Sequence, residues 1–208
     1  MSITMTFAHK FSKAKDIFRA HGGILNTAKA IKLGIHPKTL YNMRDQGILE
    51  LLSRGLYRLS ESPEISQPDL IIISQKIPQG VICLISALSF HEITTQIPHK
   101  VDIAIPLKAH KPTIDYPPVH LFWYSKKNFL AGIEVHKIDG VDVRIYSAEK
   151  TLADCFKYRN KIGLDIAMEA LRLYWQRKKT NISKLLEYAK ICRCEKIIKP
   201  YIEMIAHV

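Results

Sequence analysis

The chain has 208 residues, enough for one large domain or two small ones that each bury a core. An apolar share of 47% with 24% charged residues is the balance of an ordinary globular protein and excludes a low-complexity or fibrous chain. Lys and Arg number 31 against 19 Asp and Glu, a net charge of +12 that points towards a polyanionic partner such as nucleic acid.

The first residues lack a long apolar core with a small-residue cleavage site, so no signal peptide is expected, and no apolar run approaches the length of a membrane span. A cytoplasmic protein is expected. Cysteines lie at 83, 155, 192 and 194. Cys83 and Cys155 sit in apolar contexts and read as buried thiols of a reducing compartment. The Cys192-Arg-Cys194 spacing matches no zinc site, and neither a metal nor a cofactor is expected.

In chain order, Phe11, Ala14, Ile17 and Phe18 recur at helical spacing behind a Ser12 cap, and Gly22-Gly23 ends that helix. Asn26 caps a second helix carrying Ala30, Ile31 and Leu33, closed by Gly34. His36-Pro37 opens a third, with proline at the first helical position, where its missing N–H costs nothing, and Gly47 stops it. "ILELLSRGLYRL" then gives two β-rich runs around Arg54-Gly55, a hairpin signal. Ala30 lets two backbones approach, Gly34 accepts a left-handed turn, Ile35 plugs it, and Leu40 and Met43 face inward. This is a helix-turn-helix with a wing.

The outward side chains of the third helix are Lys38, Thr39, Tyr41 and Asn42, with Asp45 or Gln46 further round. Asn42 suits an adenine edge in a major groove, while Lys38 and Thr39 in the first turn suit phosphate. Arg54 at the hairpin tip, with Arg58 behind it, suits the DNA backbone or minor groove. The competing reading is a polar face that is merely solvated or contacts protein, a use to which winged helices are also put.

"SESPEISQP" at 60–68 interrupts every periodic pattern and reads as a linker, dividing a winged helix-turn-helix domain at 1–65 from an α+β domain at 66–208. The first carries ten Lys/Arg against five Asp/Glu, and is the more basic per residue. In the second, apolar helical patterns at 68–77 and 80–91 precede strand-like runs at 101–106, 119–124 and 132–146. The last of these contains the tight-hairpin signal Asp139-Gly140. Three helical stripes follow: Ala148, Leu152, Cys155 and Phe156; then Ala167, Ala170, Leu171 and Tyr174; then Ile182, Leu185, Leu186 and Ala189. Pro200 should break or start a helix. The fold class is α+β with a mostly antiparallel sheet and C-terminal helices.

Several C-terminal groups admit two readings. His91-Glu92 lacks a partnered nucleophile and reads as a helix-terminal histidine meeting the last carbonyls. Ser147 caps a helix on which Lys150, Asp154, Lys157 and Arg159 offer either a working surface or an ordinary charged face. The basic run Arg177-Lys178-Lys179 reads as a loop, solvated or extending a nucleic-acid footprint. Asp102, Asp115 and Asp142 lie near strands as a nuclease would need, but their spacing matches no metal motif, and no phosphate loop or nucleophile motif is present. A non-enzyme is expected, with a metal-dependent nucleic-acid enzyme the weaker alternative.

With these residues in hand, "HGGILNTAKAIKLGIHPKTLYNMRDQGILELLSRGLYRL" resembles the N-terminal winged helix of the AbiEi antitoxins of type IV toxin–antitoxin and abortive-infection systems. "VICLISALSFHEITTQIPHKVDIAIP" and "VRIYSAEKTLADCFKYRNKIGLDIAMEALRLY" resemble the C-terminal antitoxin region of that family. The resemblance implies a repressor of its own operon that binds inverted repeats in double-stranded promoter DNA; because one winged helix has a small footprint, a homodimer or cooperative loading is expected there. It also implies protection against a nucleotidyltransferase-like toxin without a stable complex. A transcriptional regulator with no antitoxin activity is the alternative.

Overall fold

A computed structural model describes residues 2–177 and 180–206, with side chains from Phe11 onward. Lys178 and Lys179 of the predicted basic loop lie outside the described residues. The chain divides into two compact units, one of residues 1–78 with 137–143, the other of residues 79–136 with 144–208.

The first unit runs α1 (Ser2–Arg19), β1 (Ile24–Asn26), α2 (Thr27–Lys32), α3 (Pro37–Asp45), β2 (Leu49–Ser53), β3 (Leu56–Leu59) and α4 (Pro68–Lys76). Its sheet is antiparallel, in the order β1-β3-β2. Ser12 is not a cap: α1 begins ten residues earlier, and Ser12 is an exposed mid-helix residue. The helix does end before Gly22-Gly23, where the Gly23 N–H donates to the Phe18 carbonyl at 2.8 Å. Ala14, Phe18, Leu25, Ala30, Ile35, Leu40, Met43, Leu49, Tyr57 and Leu59 form the core of the unit.

The segment predicted as a linker is tied down. Arg58 donates to the carbonyls of Ser62 and Pro63, and the Ser66 N–H and hydroxyl both donate to the Asp139 carboxylate, at 2.8 and 2.9 Å. α4 clusters with the first unit, and the division falls after Pro78 rather than after residue 65.

The second unit contains β4 (Val81–Ile82), α5 (Leu84–Phe90), β5 (Val101–Pro106), β6 (Val119–Tyr124), α6 (Lys126–Leu130) and the outer parts of β7 (Ile133–Ile138) and β8 (Val141–Tyr146), whose residues 137–143 cluster with the first unit. It closes with α7 (Ala148–Lys157), α8 (Arg159–Ile162), α9 (Leu164–Trp175), α10 (Ile182–Cys192) and α11 (Glu195–Ala206). The strand order is β6-β5-β4-β8-β7. The α+β class holds, but this sheet is mixed rather than mostly antiparallel: β4 runs antiparallel to β5, while β4–β8 and β5–β6 are parallel. The stretch at 80–91 is not one helix either. Val81 and Ile82 pair with β5 on one side, and Ile82 pairs with β8 on the other, before the helix begins at Leu84. A short apolar run fits a buried strand as well as a helix, and only pairing partners separate the two.

The Asp139-Gly140 turn has positive φ at both residues, +46° and +81°, as a two-residue hairpin with the right twist demands. The stripes on α7, α9 and α10 pack together, with Leu152, Phe156, Ala167, Leu171, Leu185 and Ala189 fully buried. Pro200 neither breaks nor starts a helix. It lies inside α11, where Ile198 and Ile202, four residues apart, are both buried in the core and hold the helix through the lost hydrogen bond.

At the centre of the second unit α7 carries an ion pair with no exposure, Lys150 Nζ to Asp154 Oδ2. The ammonium also lies 4.2 Å from the Tyr146 ring centroid and 5.0 Å from that of Tyr124. A Cβ on Gly132 would stand 2.6 Å from the Lys150 Cβ, so only glycine permits this chain passage, and its φ of +71° agrees. Removing one partner of a buried pair leaves the other charge unpaired. Asp154→Ala is therefore expected to cost about 3–5 kcal/mol, read as a lower urea midpoint, and Lys150→Met with Asp154→Leu to recover most of it.

Asp102 on β5 is nearly buried; its carboxylate accepts from the Ile85 N–H at 3.1 Å and lies 3.6 Å from His120 Nδ1. Burial outweighs these partners and raises its pKa to about 6. A raised carboxyl pKa means that the folded state binds the proton more tightly than the unfolded one. The stabilisation is full below pH 4 and is lost as pH rises through about 6. Asp102→Asn should therefore gain on the wild type as pH rises from 4 to 7, by a margin on the order of 2–3 kcal/mol in chemical denaturation.

Candidate nucleic-acid interface

The turn between α2 and α3 follows from its residues. Asn26 Oδ1 caps α2 by accepting from the Lys29 N–H at 2.8 Å. At the other end the Gly34 N–H donates to the Ile31 carbonyl at 2.9 Å and the Ile35 N–H to the Ala30 carbonyl at 3.0 Å. Gly34 takes φ +90° with nothing within 4 Å of a would-be Cβ, so its conformation and not its size is what the turn uses. Ile35 is buried, and His36 Nδ1 accepts from the Lys38 N–H at 3.2 Å, capping α3 just ahead of Pro37.

With Leu40 and Met43 in the core, α3 leaves Lys38 and Tyr41 exposed and Thr39 and Asn42 half-buried. Lys38, Thr39 and Asn42 line a concavity of about 560 Å³ together with Lys13 of α1 and His36. Lys13 escaped the sequence reading because nothing in the local pattern of α1 signals which helix it will face. His36 was visible only as a helix start. Tyr41 carries the Arg44 guanidinium 5.5 Å from its ring centroid, and Arg44 itself is bound to Asp45 at 2.7 and 2.9 Å, which raises its pKa further.

The wing is pinned at its tip. Both the N–H and the hydroxyl of Thr27 donate to the Gly55 carbonyl, at 2.9 and 3.2 Å, while Arg54 beside it stays exposed. Arg58 is not part of an exposed wing surface. Its side chain is 12% exposed, it bonds Glu50 at 3.2 Å, and its remaining contacts are the Ser62 and Pro63 carbonyls. Its work is structural.

The placement of the acidic side chains decides where positive charge survives. Glu61 binds Lys15 and Arg19, Asp16 binds Arg19, Asp45 binds Arg44, and Glu50 binds Arg58. Among the described residues of the unit, Lys13, Lys29, Lys32, Lys38, Arg54, Lys76 and Lys137 have no such partner, and neither do the acids Glu64, Asp69, Asp139 and Asp142. Five of these seven cations stand on α1, on the helix-turn-helix and on the wing tip, where the described residues place no unpaired carboxylate.

In the second unit the four charged residues predicted as a surface do not share one. Lys150 and Asp154 are fully buried, turned inward with the apolar stripe of α7 because each satisfies the other. Only Lys157 and Arg159 reach solvent in part, and Arg159 donates to the Phe156 carbonyl at 3.0 Å. His91 ends α5, but its Nε2 donates to the Tyr146 carbonyl at 2.7 Å rather than to the last carbonyls of its own helix. Burial lowers its pKa. Among the described residues, no three His, Cys, Asp or Glu gather as a metal site, and no helix is long and apolar enough to cross a membrane.

No curated protein matches the chain. Among solved structures, the RV2827C protein from Mycobacterium tuberculosis is similar in fold, with a TM-score of 0.53 over 92% of this chain and 78% of that one, at 14% identity. The helix-turn-helix and wing coincide with a family match: residues 12–60 are similar to the family described as "Transcriptional regulator, AbiEi antitoxin".

Proposed function

We propose that the protein is a DNA-binding transcriptional repressor and the antitoxin of a type IV toxin–antitoxin system. The observation that carries the DNA reading is the charge segregation in the first unit. Its carboxylates neutralise Lys15, Arg19, Arg44 and Arg58, leaving Lys38 on α3 and Arg54 on the wing tip unpaired. In this reading α3 enters the major groove with Lys38 and Thr39 on phosphate, Tyr41 alongside and Asn42 on a base edge, while Arg54 touches the backbone. Arg58 is omitted, because both terminal nitrogens of its guanidinium are held by the protein itself and the side chain is 12% exposed.

A single winged helix covers few base pairs, so operator recognition calls for two copies on an inverted repeat, as a homodimer or by cooperative loading. The antitoxin part rests on the family similarity of residues 12–60. It implies a nucleotidyltransferase-like toxin that is countered without a stable complex. A plain regulator is the second reading, favoured by the fact that the match covers the DNA-reading segment alone.

Two expected outcomes test these readings. Binding to the DNA upstream of the gene should fall steeply with salt as counterions are released. In gel-shift titrations Asn42→Ala should flatten the preference at one base position by about 1–3 kcal/mol. Arg54→Ala should weaken all sequences alike and reduce the salt slope by about one. Indifference to both substitutions removes the winged-helix mechanism. Co-expression with the neighbouring gene product tests the other half: a toxic neighbour that stays toxic in the presence of this chain leaves the plain regulator.

A further inference from the structure

The second unit holds a concavity of about 520 Å³ between the C-terminal end of α10, the start of α11, the end of α7 and the start of α6. Lys127, Lys157, Lys190 and Arg193 line it together with Ser125, and no carboxylate residue belongs to the lining. One acid stands near: Glu195 lies 3.8 Å from Lys190, at the limit of an ion pair. Cys192, Cys194, Ile191 and Ile197 supply an apolar floor.

Two residues in contact with this lining, Asn128 and Tyr124, carry buried polar groups with unused hydrogen-bonding capacity. Asn128, 2% exposed, accepts at 3.1 Å from the thiol of Cys192, and its own amide N–H₂ has no partner among the described residues. The Cys192 thiol has one proton for two acceptors, the Asn128 carbonyl oxygen and Asp154 Oδ1 at 3.2 Å. The Tyr124 hydroxyl is likewise unpartnered, and Lys157 Nζ sits 5.7 Å from its ring. Lys127, Lys157 and Arg193 have no ion pair among the described residues.

We infer that this concavity is a binding site for a phosphorylated small molecule of nucleotide size. Like charges gathered on one concave wall repel one another, and a bound polyanion reverses the sign of that interaction. A hydroxyl and four cationic side chains suit phosphate oxygens, Arg193 as a fork and the lysines as point charges. The volume falls in the range of small-ligand sites, and the Cys–Ile floor suits a ring rather than a bare ion. This inference stands apart from the DNA reading, since none of its residues belongs to the first unit.

The test is calorimetric titration of the full chain at low salt with ATP, pyrophosphate, adenosine and a short DNA duplex. The variants are Lys127→Gln combined with Arg193→Asn, the latter because asparagine tolerates the left-handed φ of +60° at that position, and Lys127→Arg alone. ATP should bind saturably to the wild type, pyrophosphate more weakly and adenosine not at all. The double variant should lose at least about tenfold in ATP affinity, and Lys127→Arg should keep it. The melting midpoint without ligand reports whether the double variant is folded. Should it fall, Lys190→Gln replaces it, with the same loss expected.

Absence of saturable ATP binding to the wild type up to about 5 mM overturns the site. So does an ATP affinity equal in wild type and folded variant. Loss of duplex binding in the double variant with ATP binding unchanged would show that the patch contacts nucleic acid instead, and would also overturn it. Failure of promoter binding by Asn42→Ala leaves this result untouched, so the two readings fail separately.

Discussion

The second unit is organised around one ion pair that water never reaches. Lys150 and Asp154 lie one turn apart on α7, and neither charge would tolerate the interior alone. Their pairing forces the neighbours into place. Tyr146 and Tyr124 cover the ammonium with their faces, Gly132 yields the space for its stem, and the thiol of Cys192 caps the carboxylate. β6, β8, α6 and α10 are thereby positioned by a polar centre with little geometric slack, whereas apolar packing alone would accept many alternatives. The same centre ties together α6, α7 and the end of α10, on or beside which the cations of the concavity stand.

The first unit depends on a different kind of constraint. Its turn needs a backbone conformation that Gly34 supplies and a close approach that Ala30 allows, and its helices begin on Asn26 and His36. Those requirements are local, and the packing of Leu40 and Met43 against α1 and the three-stranded sheet then turns the polar face of α3 outward. What turns that face into a candidate for DNA is electrostatic. Four of its acids, Asp16, Asp45, Glu50 and Glu61, neutralise Lys15, Arg19, Arg44 and Arg58, and the other cations of α1, the helix-turn-helix and the wing tip are left to the solvent. Neutralisation within the unit thus sharpens the contrast between its faces without changing its net charge.

Both units use polar groups for order as well as for recognition. Arg58, which from its position in the wing would be taken for a contact residue, holds the segment after β3 through backbone carbonyls. Asp102 is nearly buried on β5 beside the first turn of α5, at a cost that grows as it ionises. Charged side chains near a candidate surface therefore divide into those that build it and those that could use it, and exposure separates the two better than chemistry does.

Much of this was legible in the residues themselves. Caps, Gly34, Pro37, the Arg54-Gly55 and Asp139-Gly140 turns and the apolar periodicities of α7, α9 and α10 act over a few neighbours, so the helix-turn-helix, the wing and the α+β class could be read before any tertiary contact was known. Other features are set by partners distant in sequence. Whether Val81-Ile82 is strand or helix depends on β5 and β8, whether residues 60–66 are free depends on Asp139, and the direction of sheet pairing depends on both ends of each crossover. The inward turn of Lys150 and Asp154 belongs to the same class. On a helical wheel the pair is an ordinary charged couple, and only the aromatic rings, the glycine and the thiol brought in by four other elements make burial cheaper than exposure.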